Sequence, residues 1–166
     1  MSQSLSQRRK LCERVAAYFE ASGQPCEIVE DEENPDMVVL ECPLAINLDV
    51  EGGSPEVTEF TLNVMPLEDS FGDMYVRLVI LPFADGAGDE PGDELSRELA
   101  RLNHDMPQLK FALDDAGDLE LLTDIPATQL NEEGLQSAVK VLVDYLNHYY
   151  EPLSSLLTPA SDTPSE

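Results

Sequence analysis

From residue 38 onward the even positions read Val38, Leu40, Cys42, Leu44, Ile46, Leu48 and Val50, while the odd ones include Glu41, Pro43, Asn47, Asp49 and Glu51. An apolar period of two held over thirteen residues specifies an extended chain with one face in a core and the other in water. Strands average about five or six residues and proline cannot donate to a ladder, so a bend or an edge position is expected at Pro43. A turn follows at Gly52, Gly53 and Pro55, after which Phe60, Leu62 and Val64 alternate with Glu59, Thr61 and Asn63 as a second half-buried strand. Residues 74–82 place Met74, Val76, Leu78 and Ile80 on one face and Tyr75, Val79 and Leu81 on the other. Both faces of this strand are mostly apolar, so its second face needs a cover. A further short strand is expected around residues 27–29.

Three segments carry helical spacing instead. Leu5, Leu11, Val15 and Phe19, with Cys12 and Ala16 beside them, form one stripe that stops at Gly23. Leu95, Leu99, Leu102 and Met106 form the next, opened by Pro91 and Asp93 and closed by Pro107. The longest runs from Leu135 through Val139, Leu142, Val143, Leu146, Tyr149 and Tyr150 to Leu153, with Asn131 as N-cap, Leu130 and Leu135 bracketing it, and Glu132 and Glu133 at the positive helix end. Between the last two helices, Leu109, Phe111 and Leu113 alternate, Gly117 turns the chain, and Leu119, Leu121 and Thr123 return as a hairpin.

The order is therefore α-β(3-4)-α-β-β-α. Clustered strands imply an α+β domain, a largely antiparallel sheet of five to six strands with three helices laid on one side. At 166 residues, 42% of them apolar, the chain suits one core, expected over residues 1–156, with residues 157–166 as a disordered tail.

Charge removes whole classes of function. Nine Lys and Arg face 34 Asp and Glu, a net charge of −25, which phosphates repel, so no nucleic acid is expected as a partner. No apolar run is long enough to span a membrane, and the basic start leads into an amphipathic stretch rather than a signal core, which points to the cytoplasm and away from the membrane. Arg8, Arg9, Lys10 and Arg14 lie in the first helix with Glu13, so residues 1–14 carry +3 and the remainder −28. This cluster reads either as a solvated face near acidic loops of the same chain or as a handle for an acidic partner or second subunit.

No catalytic set emerges. The loop "GAGDEPG" misplaces its third glycine for a phosphate loop and carries repelling Asp85, Asp89, Glu90, Asp93 and Glu94. His104 and His148 fall on different helices without metal-ligand spacing, and Ser54 and Ser70 lack a nucleophile elbow. Asp114, Asp115 and Asp118 surround a glycine turn without the spacing of an EF-hand, and read as a solvated turn or a weak cation site. Cys12, Cys26 and Cys42 form no C-x-x-C pair and read as buried thiols, a redox role being the alternative. No enzyme activity, cofactor or metal is expected.

What remains is surface. Tyr75, Val79 and Leu81, together with the minor stripe Ala138, Val141 and Tyr145 on the last helix, exceed what one sheet-and-helix interface needs. They complete a fuller core or mark a partner site, and a sheet edge beside such a patch accepts an extended peptide by strand addition. Tyr75, Val79, Leu81, Val141 and Tyr145 are thus the candidate partner-binding residues. Tyr75→Asp and Val79→Asp are expected to weaken association and leave the fold largely intact.

The segments "LARLNHDMPQLKFALDDAGDLELLTDIP" and "LNEEGLQSAVKVLVDYLNHYYEPL" resemble the YbjN family: a helix ending in L-x-x-x-N, a short strand, an acidic glycine hairpin, a second strand and a long closing helix. The matching positions are Leu99, Asn103, Phe111, Asp115, Gly117, Asp118, Leu119 and Leu135, within residues 95–153, and the chain looks most like the branch found in photosynthetic bacteria. The resemblance implies the fold of type III secretion chaperones, small acidic cytoplasmic proteins that usually dimerise and wrap an extended segment of a client. It also carries the label of sensory-transduction regulator, a name without a mechanism. The two readings converge on a non-enzymatic acidic module, chaperone-like or regulatory, that binds an extended or apolar segment of a client protein. The alternatives are a small-ligand-binding or enzymatic protein with an internal pocket, and a purely self-associating structural or regulatory homodimer.

Overall fold

The computed structural model describes residues 3–30, 37–48, 56–84, 92–114 and 117–157. Helix α1 (Gln3–Ala21) leads into β1 (Glu27–Glu30), β2 (Val38–Leu48), β3 (Glu56–Glu68) and β4 (Met74–Ala84); α2 (Asp93–Asp105) precedes β5 (Lys110–Leu113), β6 (Leu119–Pro126) and α3 (Glu132–Leu157). The six strands form one sheet in the order β1-β2-β3-β4-β6-β5, and every neighbouring pair is antiparallel. The expected α+β order is found, with four strands in its first run.

Local signals set the helix ends. Gly23 adopts φ +78°, a conformation that suits glycine, and lets the Gln24 N–H reach back to the Phe19 carbonyl at 3.0 Å. Asn131 Oδ1 accepts the Gly134 N–H at 2.8 Å, and Leu130 and Leu135 are both buried around this cap. Helix α3 runs to Leu157, which is buried four positions after Leu153 on the same stripe. The rest of the expected tail, 158–166, lies outside the described residues, as do the turn with Val50 (49–55) and the loop 85–91.

Hydrogen-bond direction alternates along each strand, and this explains the prolines. Gln24 Nε2 donates to the Pro43 carbonyl, so the backbone groups of Pro43 point to the β1 side of β2. There β1 pairs only with residues 38–41, and the missing N–H of Pro43 leaves no bond unmade. The edge position expected for Pro43 is found without a bend, since β2 stays in continuous register with β3. By the same alternation Pro66 of β3 points past the start of the β2 pairing and Pro126 of β6 points past β5.

The even positions of β2, β3 and β4 share one buried cluster with Leu11, Cys12, Val15 and Phe19 of α1, Leu95, Leu99 and Leu102 of α2, and Leu135, Leu142, Leu146 and Leu153 of α3. All three helices therefore cover one face of the sheet, hereafter the inner face. β4 departs from period two at one point: its register with β6 shifts between Ile80 and Ala84. That irregularity turns Phe83 inward, where it is fully buried with ring centroids 5.4 Å from Phe111 and 5.7 Å from Tyr150.

Candidate protein-binding surface

The outer face is wet at one end and apolar at the other. Glu41, Pro43, Ala45 and Asn47 of β2 are exposed, whereas toward the β3–β4 hairpin the cross-strand rows read Leu67–Tyr75–Pro126, Met65–Arg77–Asp124 and Asn63–Val79–Leu122–Lys110. Val79 is 1% exposed and Leu122 9%, yet neither belongs to the cluster that the helices cover. Arg77 forms a bidentate pair with Asp124, Nε to Oδ1 at 2.8 Å and Nη2 to Oδ2 at 2.9 Å, and its guanidinium lies 5.8 Å from the Tyr75 ring centroid. Burial pushes the nearby Glu120 carboxyl above its usual range, Asp114 adds to this, and Arg77 opposes it.

At the end of this face the β3–β4 hairpin presents Phe71 at 90% exposure. The turn is held by Asp69 Oδ1, which accepts the N–H groups of Phe71 at 2.8 Å and Asp73 at 3.0 Å, with Gly72 at φ +88°.

The five candidate partner residues do not form one patch. Tyr75 and Val79 lie on the outer face, and Leu81 is half-buried in the irregular stretch of β4, outside the core cluster. Val141 and Tyr145, with Ala138, pack against the core from α3 on the opposite side of the sheet. The residues the sequence reading missed are Met65, Leu67 and Phe71; the alternation of Met65 and Leu67 against Val64 was the available signal.

The two sheet edges differ. At β5, Asn103 of α2 donates Nδ2–H to the Phe111 carbonyl at 2.9 Å and accepts the Phe111 N–H on Oδ1 at 2.8 Å, so a side-chain amide occupies the place of a neighbouring strand. Lys110 Nζ closes the same corner by donating to the Asn103 and Met106 carbonyls at the end of α2. At β1, the alternation set by Pro43 pairs Glu27 with Glu41 and Val29 with Val39, which turns the backbone groups of Ile28 and Glu30 outward. Among the described residues none bonds those outward groups. Beside this free edge, on the helix side, a recess of about 220 Å³ is lined by Leu5, Arg9, Lys10, Glu13, Glu30 and Val38.

The remaining candidates are dispersed. Arg9 pairs with Glu30 and Glu13, and Arg14 donates to the Ala127 carbonyl at 3.0 Å, so these two members of the basic cluster hold α1 to its own chain. His104 and His148 are exposed on α2 and α3. Ser70 is exposed in the β3–β4 turn, Asp114 Oδ1 accepts the Asp118 N–H at 2.9 Å in the hairpin, and Ser54, Asp115 and the 85–91 loop lie outside the described residues. Among the described residues no group of three or more His, Cys, Asp or Glu is placed to hold a metal ion, and no helix is long and apolar enough to cross a membrane.

Three helices on one face of a six-stranded antiparallel sheet, with the β1 edge free among the described residues, make an α+β fold of the type III secretion chaperone-like class. The chain is similar to a chain in the crystal structure of the ExsC–ExsE complex, with a TM-score of 0.51 and 22% identity over 97% of this chain and all of that one. At that identity the likeness is one of fold. No family model matches the chain, and no curated protein does.

Proposed function

We propose that this chain is a non-enzymatic, chaperone-like protein-binding module that captures an extended segment of a client by pairing it with the free edge of β1. The observation that carries this reading is the asymmetry of the edges: β5 is sealed by Asn103, and β1 offers the N–H and C=O of Ile28 and Glu30. A segment added there sends alternate side chains to the recess floored by Leu5 and Val38 and to the outer face beside Val29 and Val39. Backbone bonds supply affinity and the recess supplies selectivity, while the net charge of −25 keeps the complex dispersed and disfavours acidic competitors. The fold likeness to a chain of a two-protein complex supports a protein client. Membership of the YbjN-type proteins, on Leu99, Asn103, Phe111, Gly117 and Leu119, and a cytoplasmic location belong to the same proposal.

The test is affinity capture from native cytoplasm by the intact chain and by Glu30→Pro, with stoichiometry by light scattering. Proline at 30 removes an outward N–H and leaves the β1–β2 ladder, and it also removes the carboxylate that Arg9 pairs with, so Glu30→Ala, which loses the carboxylate and keeps the N–H, is the control. A recurrent partner at fixed stoichiometry that the proline variant loses supports the edge; a partner that both retain belongs to another surface. Self-association is a second reading, favoured by the exposure of Phe71 beside Leu67 and Tyr75; it requires a stable dimer that Phe71→Ser dissolves.

A further inference from the structure

We propose that Cys26 and Cys42 are a reversible thiol–disulfide pair, with Cys26 as the attacking and Cys42 as the resolving thiol. The register Glu27↔Glu41 continued by one residue places Cys26 opposite Cys42, and both side chains point to the inner face. Because Glu27 and Glu41 exchange the ladder bonds, Cys26 and Cys42 occupy a non-hydrogen-bonded site, where opposed Cα atoms approach to about 4.5 Å. A disulfide spans Cα separations of about 4.4–6.8 Å, so the bond needs no rearrangement of the strands.

Access and environment assign the roles. Cys26 is half-buried and lines an open cleft of about 530 Å³ with Ala16, Glu20, Gly23, Gln24 and Pro25. Cys42 is fully buried behind it. Burial raises the Cys26 thiol, the hydrogen bond from Cys42 lowers it, and Glu20 raises it; the Cys42 thiol is pushed far up by burial and by Cys26. Cys26 therefore ionises first. Cys12, also buried, directs its thiol to the Val38 carbonyl at 3.8 Å.

The oxidant is a small disulfide, R–S–S–R. Cys26 loses its proton to solvent and its thiolate attacks one sulfur, forming Cys26–S–S–R and releasing R–S⁻. Cys42 then loses its proton, its thiolate attacks Cys26 Sγ, and the second R–S⁻ leaves; both released thiolates take up the protons. Two thiols are oxidised and one disulfide is reduced. Glu20 in the cleft and the net charge of −25 favour a cationic reagent over an anionic one.

The folded chain is treated with cystamine, or with oxidised glutathione, and followed by intact mass and peptide mapping. The expected product is two hydrogens lighter with Cys26 joined to Cys42, formed about ten-fold faster by cystamine than by glutathione. Cys42→Ala stops at a cysteamine adduct on Cys26, Cys26→Ala does not react, and Cys12→Ala behaves as the parent. Melting curves establish that each variant is folded, and Cys42→Val replaces Cys42→Ala should the smaller residue unfold the chain. An unreactive Cys26, a parent chain that stops at the mixed disulfide, or a bridge that includes Cys12 overturns the proposal.

Discussion

Asn103 and Phe111 face one another as two strands do: the side-chain amide of one gives and takes a hydrogen bond with the backbone of the other, at 2.9 and 2.8 Å. The contact links the end of α2 to β5 and closes the sheet where a four-residue edge strand would otherwise be open.

Asn103→Ala removes both bonds from half-buried partners and is expected to cost about 1–3 kcal/mol. Asn103→Asp keeps the acceptor and loses the donor, and should fall between the parent and the alanine variant. Urea melts measure the order, and hydrogen exchange at the Phe111 amide, faster in Asn103→Ala, shows whether the edge has opened.

The two outer-face aspartate substitutions now separate. Val79 is almost fully buried, so Val79→Asp buries an unpaired carboxylate and should destabilise by about 2–5 kcal/mol. The expectation that it spares the fold is corrected for that reason. Tyr75 is half-buried beside Arg77, and Tyr75→Asp should stay within about 1 kcal/mol of the parent. Thermal melts of the pair distinguish them.

Phe83→Ala removes a fully buried ring stacked edge-on to Phe111 and should cost about 3–5 kcal/mol, with loss of near-ultraviolet dichroism from the aromatic group. A change under about 1 kcal/mol would place Phe83 outside the core.

Buried thiols make the fold sensitive to alkali. Burial chiefly, with Glu13, raises the Cys12 thiol from 9.0 to about 12, and Cys42 is raised as well. The unfolded chain ionises these thiols first, so it releases protons that the folded chain keeps. Stability is unaffected below about pH 8 and falls from about pH 9 towards 12. Denaturant melts across this range should show a steeper decline for the parent than for Cys12→Ala.

Much of the fold was legible because periodicity is local. The alternation over 38–48, the stripe from Leu135 to Leu153, the Asn131 cap and the Gly117 hairpin each follow from side chains within a few residues of one another, and each is present. The β1 strand was readable only as a short segment, since four residues hold little pattern. Pro43 was legible: its missing donor implied a bend or an edge position, and it lies beyond the end of the β1 pairing.

The sequence by itself determined which residues alternate and which form stripes, because a strand repeats every two residues and a helix every 3.6 whatever lies beyond it. Only the tertiary structure decided which sheet face the helices cover, that Val141 and Tyr145 lie partly buried against the core on one side of the sheet while Tyr75 and Val79 lie on the other, and that Phe83 turns inward at a register shift. Only it placed Asn103 on the β5 edge and Cys26 across from Cys42. These outcomes depend on segments distant along the chain meeting in space, and a local period carries no record of its eventual neighbour.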